Sequence, residues 1–263
     1  MNKTELLNRL AQDGEERTLL ARTMDRIEQA QRRSVPAWTS FLSPHEAEAV
    51  ARLIAAAGYP RHLWSGGFEG AERRVCAFLP DWMEADLFDG EGPIVALRAV
   101  WQGGERLTHR DFLGALMGMG VTREKVGDLL VSEGRCDMLV LREISDFLCQ
   151  SMESAGRVKL RLTPCPLSEV EPPQLQVKTI RDTLAALRMD AAAAAGFSIS
   201  RSKAADLISA GRVSLNWQEC RKGDRTVGEG DVISCRGLGK CVIQSVGGLS
   251  KKGRIAVTIE RYS

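Results

Sequence analysis

The last third of the chain takes its fold from one stretch, SRSKAADLISAGRV at residues 200–213. Ser200 is a residue type that caps helix N-termini, and Gly211 is one that ends helices. Between them the apolar residues recur at helical spacing, at Ala204, Leu207 and Ile208. The stretch therefore predicts a short amphipathic helix that leads through Gly211 into a strand.

The same stretch places positive charge at the start of that helix. With the apolar residues facing inward, Arg201 and Lys203 project outward beside free backbone N–H groups, where the helix dipole favours an anion. Arg212 lies just past the far end of the helix, and Asn216 lies in the following turn. Further cations follow along the predicted strands, at Lys222, Arg225 and Arg236. This frame suits a phosphate backbone and predicts an RNA-binding surface.

Charge is divided unevenly along the 263 residues. Residues 181–263 contain 14 Lys and Arg and 8 Asp and Glu, a net charge of +6, whereas residues 1–180 carry −4. Nucleic acid is the commonest anionic partner of such a segment, and a merely solvated surface is the alternative. The chain has only two tyrosines and no aromatic RNP-like motif, which favours structured RNA recognised by its shape over single-strand stacking.

Composition excludes several classes of protein. Hydrophobic residues make up 44% and charged residues 27%, as in globular proteins. No apolar run approaches a membrane span of about 18 residues, and the N-terminus lacks the apolar core of a secretory signal. Seven cysteines without a C-x-x-C pair, and three histidines, argue against a disulfide framework or a metal site. We expect a cytoplasmic protein with reduced thiols and without a cofactor, metal or membrane partner.

Three segments are predicted, and together they give an α+β fold. Residues 1–59 form a helical N-terminal segment, residues 60–173 a mixed α/β domain, and residues 181–263 an RNA-binding domain. The middle domain ends in a proline-rich extended connector over residues 163–173. Residues 181–195 are helix-prone, with Asp190 able to cap a short helix from Ala191.

The C-terminal pattern resembles the S4-type RNA-binding domain. The resemblance is carried by Arg188-Met189-Asp190, Gly196-Phe197, Ser200-Arg201-Ser202-Lys203-Ala204, Leu207-Ile208, Gly211-Arg212-Val213, Asn216 and Gly230-Asp231-Val232-Ile233. It implies two helices packed on a small β-sheet, with RNA contacts at Arg201, Ser202, Lys203, Arg212, Asn216 and Lys222. Trp217 follows Asn216 where the family often has glycine, and a tryptophan resists positive φ. How this turn is built, and where Asn216 points, are therefore open.

Two upstream segments extend the resemblance, Ser65–Arg74 and Leu107–Asp128. Together with the S4-type pattern they are similar to the bacterial YlmH family, over about residues 38–260. The resemblance implies a cytoplasmic, non-enzymatic factor on the large ribosomal subunit, with rRNA or tRNA as partner. Such proteins bind complexes obstructed by peptidyl-tRNA and assist nascent-chain tailing in ribosome-associated quality control, and some are linked to cell division. We expect a monomer when the protein is free. Residues 1–30 match least and stay unassigned.

Four upstream residues are possible secondary RNA contacts: His109, Arg110, Arg73 and Arg74. His109 and Arg110 stand in the first turn of a predicted helix, between Thr108 and Asp111. Helix capping is the favoured reading of that motif, ahead of RNA contact and of acid–base catalysis. For the arginine pair, one solvated charge and one salt bridge is the alternative to RNA contact.

The main rival hypothesis is an RNA-modifying enzyme targeted by its S4-type domain. A pseudouridine synthase needs a catalytic aspartate in an Arg-Leu-Asp context within its own domain, but Arg188-Met189-Asp190 lies inside the S4-type pattern. A methyltransferase needs a glycine-rich cofactor loop, and a tRNA synthetase fragment needs nucleotide-binding signatures. Neither is evident. We therefore expect a binding factor without catalytic residues.

Overall fold

The computed structural model describes residues 3–83, 92–171, 177–250 and 252–262. By contact the chain divides into two compact units, residues 1–173 and residues 174–263. Helices and antiparallel sheets occur in both units, which confirms the expected α+β class. A further boundary at residue 59 stays a prediction.

The first unit begins with helices packed beside a small sheet. The helices are α1 (Lys3–Leu10), α2 (Gly14–Arg33) and α3 (Pro44–Ala56). The antiparallel sheet has the order β1-β3-β2, with β1 (Ala37–Trp38), β2 (His62–Ser65) and β3 (Val75–Phe78). Leu20, Leu53 and Phe78 are almost fully buried in one cluster that joins helices and sheet. Ser43 and Glu46 form a capping box that starts α3.

A four-stranded antiparallel sheet fills the rest of this unit, in the order β5-β6-β4-β9. The elements of this part of the chain are β4 (Ile94–Val100), α4 (His109–Gly118), β5 (Val126–Ser132), β6 (Arg135–Leu141), α5 (Ser145–Ser151), the separate hairpin β7 (Ser154–Ala155) and β8 (Val158–Lys159), and β9 (Arg161–Cys165). The predicted connector thus begins as a strand. Pro164 is tolerated there because β9 is an edge strand. Pro172-Pro173 lie outside the described residues.

The second unit contains two helices against a six-stranded antiparallel sheet in the order β10-β15-β14-β13-β11-β12. The elements are β10 (Val177–Leu184), α6 (Met189–Phe197), α7 (Arg201–Ser209), β11 (Val213–Leu215), β12 (Gln218–Glu219), β13 (Val232–Cys235), β14 (Gly239–Leu249) and β15 (Ile255–Tyr262). Phe197 and Ile208 from the helices share one core with Ile233 and Ile259 from the sheet. This confirms the expected S4-type architecture.

The prediction of helix over residues 181–195 is wrong in its first part. Residues up to Leu184 form β10, which pairs with β15 from Val177↔Tyr262 to Leu184↔Ile255. This long-range pairing overrides local helix propensity. The helix begins at Met189 with Arg188 as its N-cap, so Asp190 is not the cap. Asp190 instead lies in the first turn and is buried.

The cysteines are free thiols, and most of them are buried. Burial raises the pKa of Cys76 and of Cys241 to about 12, so both stay protonated at neutral pH. In the described ranges, no group of three or more His, Cys, Asp and Glu residues could hold a metal ion. Among the described helices none is long and apolar enough to cross a membrane.

Candidate nucleic-acid interface

The N-terminus of α7 is built as the sequence predicts. The Ser200 hydroxyl accepts a hydrogen bond from the Lys203 backbone N–H at 3.2 Å, which confirms Ser200 as the cap. Arg201, Ser202 and Lys203 therefore stand in the first turn, and all three are exposed. The helix adds the positive end of its dipole to the two cationic side chains, so an anion is favoured at this end.

Asp190 organises the cations beside this helix end. Its carboxylate accepts hydrogen bonds from Arg201 Nη2 at 3.0 and 3.2 Å, and from Arg188 Nε and Nη2 at 3.2 Å each. Burial alone would raise the pKa of Asp190, but the bonds from the two guanidinium groups outweigh it, and the pKa is lowered. The carboxylate is therefore charged at neutral pH and fixes both arginines.

These ion pairs do not neutralise the cluster. Two arginines and one aspartate leave a net positive charge. The side chains of Arg188 and Arg201 remain 40% and 56% exposed. Arg201 uses only Nη2 on the carboxylate, so its other N–H groups are left for a second acceptor. Lys203 makes no hydrogen bond or ion pair through its ammonium within the part of the chain that the structure describes.

The segment between β12 and β13 adds cations to the same place. The backbone N–H groups of Asp190 and Met189 donate to the carbonyls of Gly223 and Arg225, at 2.9 and 2.8 Å. A Cβ on Gly223 would lie 3.3 Å from the Asp190 Cβ, so the segment approaches α6 closely. Lys222 and Arg225 flank these contacts, and both are exposed.

Arg212 and Arg236 form a second pair at the other end of α7. Arg212 Nη2 donates to the Arg236 carbonyl at 2.9 Å, and the Arg236 N–H donates to the Arg212 carbonyl at 3.0 Å. Both residues are exposed. A nine-residue helix is about 13 Å long. The predicted cations thus fall into two groups, one at each end of α7.

The side chain of Asn216 is held within the hairpin, and its RNA contact stays a prediction. Its side-chain amide donates to Asp231 Oδ1 at 2.8 Å and accepts from the Val232 N–H at 2.9 Å. Both ends of the side chain are used to anchor the hairpin. Asn216 and Trp217 both have positive φ, at 47° and 63°. The turn is therefore the one that Asn-Gly usually makes, with tryptophan in the glycine position.

The upstream motif at residues 108–111 is a helix cap. Asp111 Oδ2 accepts from the N–H and the hydroxyl of Thr108 at 2.8 and 2.7 Å, a capping box that starts α4. Partial burial and nearby Arg123 lower the pKa of His109. A neutral imidazole is a poor phosphate partner at pH 7. Arg110 is exposed.

The adjacent arginines Arg73 and Arg74 differ sharply. Arg73 is half-buried and donates to the carbonyls of Val126 and Phe41 at 3.0 and 2.9 Å. Burial lowers its pKa, and its role is to hold loops together. Arg74 is exposed and lies 5.3 Å from the centre of the Trp64 ring. Only Arg74 of the pair presents its charge to solvent.

Arg188 is a cationic residue that the sequence reasoning did not place in the site. Its signal was local. An arginine at an N-cap position stands two residues before an aspartate whose helix neighbours are alanines. A carboxylate in such an apolar turn needs a cationic partner. Arg188 and Arg201, at the starts of α6 and α7, are the cations that pair with Asp190.

Comparison with known proteins identifies two domains. The family model described as "Putative RNA-binding domain in YlmH" matches residues 104–169, and the S4 domain model matches residues 188–233. The chain is 32% identical over 223 residues to the ribosome-associated protein quality control protein P2 of Bacillus subtilis (strain 168), covering 85% of this chain and 86% of the relative.

A solved structure shares the fold of part of the chain. It is the cell division protein ylmH from Streptococcus pneumoniae, with a TM-score of 0.52 and 21% sequence identity. The match covers 60% of this chain and 96% of that one. At this identity the likeness concerns the fold.

Proposed function

This chain belongs to the YlmH family, and we propose that it is a non-enzymatic RNA-binding protein of the ribosome. One observation carries the proposal. Arg188 and Arg201 are held by Asp190 on an exposed surface beside the N-terminus of α7. A surface of fixed guanidinium groups and helix N–H donors has the chemistry that binds phosphate.

The finer proposal concerns the partner and the process. The name of the Bacillus relative, which covers most of this chain, supports a place in ribosome-associated quality control of stalled nascent chains. We infer binding to rRNA or tRNA on the large subunit, in the cytoplasm, by a protein that is a monomer when free. The family resemblance of the segments at Ser65–Arg74 and Leu107–Asp128 supports binding at the large subunit.

Binding follows from the two basic groups. The group around Asp190 takes phosphates at the start of α7, and Arg212 with Arg236 takes phosphates about 13 Å away at its end. Contacts to the backbone fix the register of an RNA without reading its bases. Structured RNA, which presents phosphates at fixed spacing, is therefore the ligand that this surface suits best.

The alternative of an RNA-modifying enzyme finds little support in the site. Asp190 is the aspartate closest to a synthase-like context, and its carboxylate is bound by two arginines in a turn that leaves its side chain 10% exposed. A carboxylate so occupied serves as a structural anchor rather than as an attacking group. We assign no catalytic residue.

Crosslinking the protein to RNA in cells, followed by sequencing, tests the proposal. Reads concentrated on large-subunit rRNA and tRNA are the expected result. An Arg201→Ala and Lys203→Ala double variant should lose most of these reads at equal expression. A nucleotide modification at one rRNA position that disappears in a deletion strain would instead favour the enzyme.

A further inference from the structure

Trp217 occupies a backbone conformation that tryptophan seldom adopts. It is the second residue of a two-residue hairpin loop, between the paired residues Leu215 and Gln218, and its φ is 63°. Both central residues of such a turn have positive φ, and glycine is strongly preferred at this position. A bulky side chain is strained here, so glycine would serve the fold better.

The indole ring makes no specific polar or aromatic contact within the described residues. Trp217 is 42% exposed. In the described ranges, its ring takes part in no aromatic or cation–π pair and its indole N–H has no hydrogen-bond partner. Asn216 rather than Trp217 anchors the turn, through Asp231 and Val232. A strained aromatic residue with 42% of its surface open to solvent is a candidate for ligand contact.

We propose that Trp217 stacks on an unpaired base of the RNA that the α7 surface binds. This inference rests on the proposed function. Arg212 and Arg221 stand at the base of the same hairpin, where a Cβ on Gly211 would lie 3.3 Å from Arg221 Nη2. The three residues of β11 and the turn at Asn216 separate Arg212 from Trp217, a span of at most roughly 16 Å. An RNA strand whose phosphate is bound at Arg212, at the base of the hairpin, therefore reaches Trp217 at the hairpin tip within about five nucleotides.

An unpaired base fits the ring better than other ligands do. A flat, exposed indole accepts the π-face of any base, and its N–H can serve an adjacent acceptor. The arginines around the hairpin select a polyanion over an apolar peptide. One base protruding from a folded RNA also agrees with the second unit, where the other described aromatic residues are the buried Phe197 and the partly buried Tyr262.

Two substitutions separate this role from a structural one. Trp217→Gly removes the ring and relieves the positive φ, so the thermal midpoint should stay equal or rise while RNA binding weakens. Trp217→Phe keeps a stacking ring and the same strain, so it should retain most of the binding. A residue that served only packing would lose stability in the glycine variant.

The test uses two RNAs, a duplex of about 20 base pairs and the same duplex with a short adenine bulge. Wild-type protein should prefer the bulged RNA. Trp217→Gly should lose about 5- to 100-fold in affinity for it, bind the plain duplex like the wild type, and keep the same salt dependence. Stacking releases no counterions, unlike a phosphate contact.

The outcomes are distinguishable. If Trp217→Gly binds both RNAs like the wild type, or loses affinity equally for both, the stacking role is overturned and the proposed function stands. If the wild type binds neither RNA while remaining folded, both proposals are contradicted. Tight binding of bulged RNA that only Trp217→Gly loses supports the stacking role.

Discussion

Arg201 Nη2 lies 3.0 Å from Asp190 Oδ2, an ion pair that joins the first turn of α7 to the first turn of α6. Arg188 bonds to the same carboxylate from the other side. The pairing restricts two long side chains before any ligand arrives. Fixing flexible side chains in the free protein lowers the entropy lost on binding, so Asp190 prepares the surface while remaining buried itself.

Asp190→Asn should destabilise the protein by about 1–2 kcal/mol at pH 7. The amide cannot accept charge-assisted bonds at both oxygens, while the exposed arginines recover part of the loss through hydration. Urea unfolding measures the change. Asp206→Asn is the matched control, since Asp206 is an exposed aspartate on α7 and should change stability little.

The stability difference between the wild type and Asp190→Asn should depend on pH. Because the folded pKa of Asp190 lies below its ordinary value of 3.8, its stabilising contribution is full above that value and is lost as the pH falls through the folded pKa. The stability difference between wild type and Asp190→Asn should therefore narrow toward pH 3. A difference that stays constant over this range would contradict the ion pairing.

Substitution by glutamine should destabilise the protein much more at Arg73 than at Arg74. Arg73→Gln removes charged donors from the carbonyls of Val126 and Phe41, and should cost about 2–3 kcal/mol of stability without changing RNA affinity. Arg74→Gln removes an exposed contact with Trp64, and should cost less than about 1 kcal/mol. Thermal unfolding and filter binding measure both. Equal destabilisation would refute the distinction.

Sequence reasoning succeeded where a local signal and the fold agree. The caps at Ser200 and Thr108 each rest on residues within one turn of the chain, and the structure forms both. Such signals do not depend on distant partners, so one sequence suffices to find them.

Sequence reasoning failed where residues far apart in the chain determine the local structure. Strand β10 takes its conformation from pairing with β15, some 75 residues later. Asp190 was predicted to be a cap because its partner Arg201 lies eleven residues away and its burial is a tertiary property. The direction of Asn216 depends on Asp231 and Val232. None of these contacts leaves a local pattern.

Arg212 should be a damaging single loss in the surface. Its side chain is fixed on the Arg236 carbonyl, so Arg212→Ala removes a positive charge held in place at the end of α7. Co-sedimentation with ribosomes should fall about tenfold in apparent affinity. Lys178→Ala is the control, because that exposed lysine lies on β10, at the opposite edge of the sheet from the β11–β12 hairpin. Arg212→Ala that sediments like the control would count against this role.

The most direct test of the central claim is a salt titration of RNA affinity for the double variant Arg201→Ala and Lys203→Ala. Each lost phosphate contact should reduce the slope of log affinity against log salt by roughly 0.7–0.9, equally for different RNA sequences. Lys178→Ala with Arg181→Ala removes the same charge from exposed positions on β10 and should leave the slope unchanged. An unaltered slope and affinity in the first variant, with the protein folded, would contradict RNA binding by this surface.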